Sequence, residues 1–150
     1  TLTYLPQDLP LPEPSPDDQP YWDACDQREL RIQRCAKCTR FRHPPTPICP
    51  SCRSPKACWT QVSGNGTVFS YTIAHFATHP VLKDALPYNV AVVLLDDADD
   101  VRIISNVIDI APEKMAIGLR VSLVWQPLHN GGYLPRFSGR DHSLATVTTP

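Results

Sequence analysis

The 150 residues, 42% of them hydrophobic, suffice for one medium domain with a single core, or for a small module joined to a larger one. Seventeen prolines exclude long helices and suit short strands, extended loops and a Pro-rich leader. A net charge of −1 excludes generic polyanion binding by the chain as a whole.

Residues 1–18 are expected to form an extended arm that ends before Pro20. The first twenty residues hold six prolines and four acids, a composition with no core of its own. Leu2, Tyr4, Leu5, Leu9 and Leu11 are nonetheless more apolar than a spacer needs, so the arm is either disordered or laid along a partner. A short helix is predicted within 19–31, because Pro20 suits a first helical turn and Tyr21, Trp22, Cys25 and Leu30 recur at near-helical spacing.

Residues 32–57 read as a metal ribbon. Cys35-x-x-Cys38 and Cys49-x-x-Cys52 are separated by ten residues. Each Cys-x-x-Cys turn aims two sulfurs at one point, and two such turns complete a tetrahedral thiolate shell with no open position. Zinc is the expected ion and iron the rival, since the ligand set suits both. Two disulfides are the weaker alternative, because nothing in the sequence signals secretion. The ribbon is also basic. From Arg28 to Cys58 there are eight Lys/Arg, among them Arg40 and Arg42, against the single acid Glu29.

From residue 58 to 142 the apolar pattern changes to period two, with strands predicted near 59–63, 66–76, 88–96, 101–109, 119–128 and 133–139. Ser63-Gly64-Asn65-Gly66 supplies a turn, and Asp96-Asp97-Ala98-Asp99-Asp100 reads as a solvated hairpin tip. Ala111–Met115 resembles a one-turn helical crossover. Five or six short strands with one helical turn point to a small closed barrel, best fitted by an OB-fold, with a sandwich as the alternative. The last residues, 143–150, are small and polar and are expected to be flexible. The fold class is therefore mainly β: one short helix, a zinc ribbon, then a five- to six-stranded barrel.

No nucleophile elbow, phosphate loop or carboxylate pair is present, so no catalytic residue is assigned. Cys25 and Cys58 read as small buried hydrophobes. His75 and His79 are four apart, but Pro80 argues against a helix that would let them chelate. The aromatic-bearing barrel beside a basic ribbon has two readings. Single-stranded nucleic acid could stack on the rings, or a phosphorylated small molecule could set its diphosphate on the ribbon and its tail along the barrel. No apolar run reaches the length of a membrane span, no secretory leader is evident, and free thiols with a metal site suit a reducing, cytoplasmic setting.

A short Tyr-Trp helix, then RCAKCTRFRHPPTPICPSC, then W-x-x-V-S-G-x-G-T-V-F-S-Y-T from Trp59 to Thr72 resembles the acyl-CoA-associated OB-fold family with an N-terminal rubredoxin-like zinc ribbon. The resemblance spans roughly 19–141 in order. It departs at Thr39 and Arg53, which stand where family members often carry glycine after each knuckle's second cysteine. The resemblance implies a non-catalytic auxiliary subunit or module of thiolase-superfamily enzymes, bridging a catalytic dimer as a hetero-oligomer and shaping an acyl-CoA channel. Implied partners are a thiolase or acyltransferase, or a lipid-transfer-protein-like aldolase that cleaves CoA-activated steroid side chains. The module can be fused behind a hydratase-like domain, as Thr1 in place of an initiator methionine would fit. Zn2+ on Cys35, Cys38, Cys49 and Cys52 would be structural, with acyl-CoA a ligand of the complex. Arg40 and Arg42 would face CoA phosphates or an acidic partner surface. Phe69, Tyr71 and His75 would border the acyl group or the partner. The competing reading is a single-stranded nucleic-acid-binding protein. Against it, the chain beyond Cys58 carries six Lys/Arg against eight acids, where a phosphate-tracking groove should be positive along its length.

Overall fold

The computed structural model describes residues 4–139. The tail expected over 143–150, the first three residues of the arm and the end of the segment assigned to the barrel lie outside the described residues.

The helix α1 covers Gln19–Asp26, with Pro20 in its first turn, and buries Tyr21, Ala24 and Cys25 along one stripe. It ends where Arg28 takes a left-handed φ of 58°, after which the chain enters the ribbon. The ribbon is a three-stranded antiparallel sheet of order β2-β1-β3, with β1 at Arg31–Cys35, β2 at Phe41–Arg42 and β3 at Ala57–Gln61. The strand expected at 59–63 is thus present, but it pairs along the whole of β1, Arg31 opposite Gln61 through Cys35 opposite Ala57. It completes the ribbon sheet and adds no stave to the barrel.

Five strands form the second sheet: β4 (Asn65–Ala74), β5 (Tyr88–Leu95), β6 (Arg102–Ser105), β7 (Arg120–Pro127) and β8 (Tyr133–Ser138), in the order β6-β5-β4-β7-β8. The two ends approach through a parallel bridge between Val107 and Phe137. Ile108 N–H donates to Phe137 O at 2.9 Å, and Phe137 N–H donates to Asn106 O at 3.0 Å. Antiparallel neighbours closed by one parallel contact between the third and fifth strands give the OB-type barrel. A 3-10 turn at Pro112–Lys114 links the third and fourth of these strands, as the crossover at 111–115 required.

Period two governs the burial. Val68, Ala91, Val93, Leu95, Ile103, Val121 and Phe137 all point inward and are nearly inaccessible. Gly66 lies within β4 and not in the turn. A Cβ there would sit 2.5 Å from the Leu94 carbonyl oxygen, so the sequence needs glycine for a close backbone approach. Gly64 supplies the turn's positive φ of 79°.

The arm folds back on its own barrel. Tyr4 Oη accepts from Asn89 N–H at 3.0 Å and from Asn89 Nδ2 at 2.8 Å, and Gln7 Nε2 donates to the Pro127 carbonyl at 3.1 Å. Leu5, Leu9 and Leu11 line one small cleft together with Leu128, Leu134 and Arg136. Beneath them the Arg136 guanidinium donates to Gln126 Oε1 and to Asn106 Oδ1, while burial pushes its pKa down to about 10.

Candidate metal centre and partner surface

Two short turns with the same hydrogen bonding build the metal centre. In the first, Thr39 N–H donates to Cys35 O and Cys35 N–H to Arg40 O. In the second, Arg53 N–H donates to Cys49 O and Cys49 N–H to Ser54 O. These bonds return the chain on itself over five residues and leave Thr39 at φ 64° and Arg53 at φ 61°, the left-handed region that favours glycine. The two departures from the family pattern therefore sit in the conformation a glycine would relax.

The four sulfurs converge. Cys35 Sγ lies 3.5 Å from Cys52 Sγ, Cys38 Sγ lies 3.6 Å from Cys49 Sγ, and all four fall within 4.8 Å of one another. A tetrahedron with Zn–S bonds of ~2.3 Å has S···S edges of about 3.8 Å, whereas a disulfide brings its sulfurs to ~2.05 Å. The arrangement fits a four-thiolate ion site, and no described cysteine is in a disulfide. Backbone N–H groups favour the ionised form that a metal takes. The Cys38 amide, then Lys37's, point at Cys35 Sγ from 3.4 Å and hold that thiol at about 6. The Cys52 and Ser51 amides lower Cys49 in the same way, whereas Cys38 is pushed up to about 11: the Arg40 amide lowers it, but desolvation and hydrogen bonds to the other three sulfurs outweigh that. Four protein ligands leave no position for a reacting water, so an ion here is structural.

Arg40 is exposed and donates to Ser51 Oγ at 3.0 Å, tying the two knuckles together. Arg42 is 8% exposed. Its Nη2 donates to Thr46 O, pinning the Pro-rich excursion, while Nε and Nη1 have no hydrogen-bond partner. Its charge therefore serves the ribbon's interior more than a surface ligand. Phe69 and Tyr71 lie exposed on β4, and His75 is exposed just beyond its end. The structure thus places the basic pair on the ribbon and the aromatic pair on the barrel. Arg102, which sequence reasoning passed over, joins them: it lines one cleft with Arg40 and Arg42, and its guanidinium lies 4.1 Å over the Phe69 ring. The available signal was its outward place in the alternation of Arg102, Ile103, Ile104 and Ser105.

The acidic run is the exposed hairpin tip expected, with all four aspartates solvent-accessible, and it also acts as a clamp. Asp99 Oδ2 accepts from Phe41 N–H at 2.9 Å and Asp97 Oδ2 from Ser63 N–H at 2.8 Å, binding the barrel's tip to the ribbon and to the turn that leaves it. Asp96 forms a bidentate pair with Arg120, and Ala98, between Asp97 and Asp99, is fully buried. Of the two spare cysteines, Cys25 is buried as expected, whereas Cys58 is exposed on β3. His79 caps the 3-10 helix Pro80–Ala85 by accepting from Val81 N–H, and does not join His75 in a metal set. No helix among the described residues is long and apolar enough to cross a membrane.

Residues 22–56 match the family model of the ChsH2 rubredoxin-like zinc ribbon domain, and residues 59–126 that of the ChsH2 C-terminal OB-fold domain. A DUF35 domain-containing scaffold protein of Methanocaldococcus jannaschii is 33% identical over 101 residues, covering 66% of this chain and 69% of that protein. The chain belongs to the DUF35 family. Among solved structures, this DUF35 chain superposes on one titled Ltp2-ChsH2(DUF35) aldolase with a TM-score of 0.78 and 39% identity, covering 85% of this chain and 98% of that one. A probable enoyl-CoA hydratase alpha subunit of Thermomonospora curvata is 41% identical over 116 residues, covering 77% of this chain and 35% of that protein. The DUF35 chain therefore spans about a third of the length of that relative.

Proposed function

We propose that this chain is a non-catalytic auxiliary module that binds and supports a thiolase-superfamily enzyme, first of all a lipid-transfer-protein-like aldolase acting on an acyl-CoA. The observation that carries the reading is the near end-to-end match to the DUF35 chain of the Ltp2-ChsH2(DUF35) aldolase. In this reading Cys35, Cys38, Cys49 and Cys52 hold one structural Zn2+, which ties the two knuckles together and rigidifies the ribbon. The carbon–carbon chemistry belongs to residues of the partner. Such a module would sit beside a catalytic dimer and shape the acyl-CoA channel, with a steroid side chain as the acyl group. Arg40 would offer its charge to CoA phosphates or to acidic residues of the enzyme, and Arg42 would hold the Pro-rich excursion that follows it. Phe69, Tyr71 and His75 would face the enzyme or the acyl group. The hydratase alpha subunit among the relatives supports a native setting behind a hydratase-like domain.

The reading of single-stranded nucleic acid is disfavoured, because stacking rings need cations along their whole groove and the exposed strand face that bears Phe69 carries one, Arg102. Affinity capture from extract of the source cells, with mass identification, tests the proposal. A thiolase or lipid-transfer-protein-like aldolase is the expected catch. Nucleic acid with ribosomal or transcription proteins would overturn the reading.

A further inference from the structure

On the outer face of the β4-β5-β6 sheet, Phe69, Ser70, Arg102 and Ile104 are exposed. The register sets Ser70, Val92 and Ile104 in one row across the three strands, and Thr67, Leu94 and Arg102 in the next. The alternate residues Val68, Ala91, Val93 and Ile103 fill the barrel, so the outward set is the one left for solvent. An antiparallel sheet with one wet face is ordinarily polar there. This one presents Ile104 at 73% exposure and half-buried Val90, Val92 and Leu94. At the β4 irregularity between Val68 and Ser70, Phe69 meets Arg102, whose guanidinium stacks on its ring.

An exposed aliphatic on the same sheet face as an aromatic with a stacked arginine includes the aromatic and Arg content enriched at protein–protein interfaces. We infer that this face is the surface that docks the enzyme, with Ile104 and Phe69 as apolar anchors and Arg102 paired to a carboxylate of the enzyme. The inference rests on the auxiliary-module reading and names the face through which it operates. Charge selects the occupant. Arg102 has no carboxylate within ion-pair distance among the described residues, so its pairing capacity is open. The cleft that Arg102 shares with Arg40 is also lined by Asp100, and beyond Cys58 eight acids outnumber six Lys/Arg. That falls short of the continuous clusters of Lys and Arg that meet a nucleic-acid backbone or an anionic membrane. Self-association about Ile104 would bring the two copies of Arg102 toward each other across the two-fold axis, like charge facing like. A heterologous protein surface, apolar with an acidic residue, fits what remains.

The test is titration calorimetry of the captured thiolase-superfamily enzyme against the full chain, unmodified and as Ile104→Asp, Phe69→Ser and Arg102→Glu. All three side chains are exposed, so circular dichroism and zinc content should match the unmodified chain. Ile104→Asp and Arg102→Glu are each expected to weaken binding at least about tenfold. An unmodified chain that binds no such enzyme overturns the auxiliary reading itself. An unmodified chain that binds, with Ile104→Asp and Arg102→Glu binding equally well, overturns the docking face alone. A homodimer that Ile104→Asp turns into monomers assigns the face to a second copy and also overturns it.

Discussion

Thr39 and Arg53 each occupy a left-handed conformation, φ 64° and φ 61°, immediately after the second cysteine of their knuckles. Replacing either with glycine removes the clash of Cβ with the neighbouring carbonyl, a cost of roughly 1–2 kcal/mol for an L-residue. It also adds unfolded-state freedom worth about 0.5–1 kcal/mol against the fold. The net expectation is a gain of about 0.5–1 kcal/mol per site, larger for β-branched Thr39, which tolerates positive φ least. No side-chain bond is lost at Thr39, because Arg34 Nε donates to its carbonyl oxygen at 2.7 Å and Thr39 N–H reaches Cys35 O. For a chain of this length each kcal/mol moves Tm by about 2–4 °C. Thr39→Gly should therefore raise Tm by about 2–4 °C and Arg53→Gly by about 1–3 °C in calorimetry of the metal-loaded protein. Lys37→Gly, inside the same knuckle but without a positive φ, should lower it by a similar amount. A Thr39→Gly chain no more stable than the parent, with Lys37→Gly equally silent, would refute the strain argument.

Further outcomes follow from the same geometry. Cys38→Ser should lower soluble yield and zinc content together, because the ribbon's small core cannot offset chain entropy without the ion; full metal occupancy at normal stability would remove the site. Asp99→Ala loses the bond to Phe41 N–H and leaves alanine at φ 52°, for about 1.5–3 kcal/mol in urea unfolding, while Asp99→Asn keeps both acceptor and conformation and should be nearly neutral. Burial, opposed by the Asp18 carboxylate, lowers the pKa of His43, which packs against Tyr21 with ring centroids 5.2 Å apart. The unfolded chain therefore binds the extra proton first, so stability should fall as pH drops below about 6.5, and His43→Gln should flatten that limb of the profile. In the zinc-loaded native chain a dithionitrobenzoate reagent should modify exposed Cys58 rapidly and spare Cys25, which is fully buried with its thiol pushed up to about 12.

The ribbon was legible because paired cysteines at knuckle spacing leave few other geometries, and the sulfurs meet as the spacing requires. The barrel was legible through its period-two strands, and the pairing that closes it follows the expected OB order. What escaped the sequence depends on long-range partners. The strand at 57–61 carries the same alternating pattern whichever sheet it joins, so only its register with β1 assigns it to the ribbon. Four acids in five residues look solvated in one dimension, yet Asp97 and Asp99 find backbone donors more than thirty positions away. Arg42 carries the same formal charge as Arg40, and only the fold tells that it is enclosed. Leu5, Leu9 and Leu11 were apolar enough to need a surface, and they line a cleft with residues on and next to the chain's own β7 and β8. Arg102 acquired meaning only when the sheet order let its guanidinium reach across β5 to the Phe69 ring.

Native mass spectrometry of the affinity-captured chain, held in volatile buffer without denaturant, tests the central claim most directly. The account requires an assembly whose mass equals a thiolase-superfamily enzyme dimer plus copies of this chain, each carrying one zinc. A metal-free chain recorded alone, or one bound to nucleic acid, would contradict it.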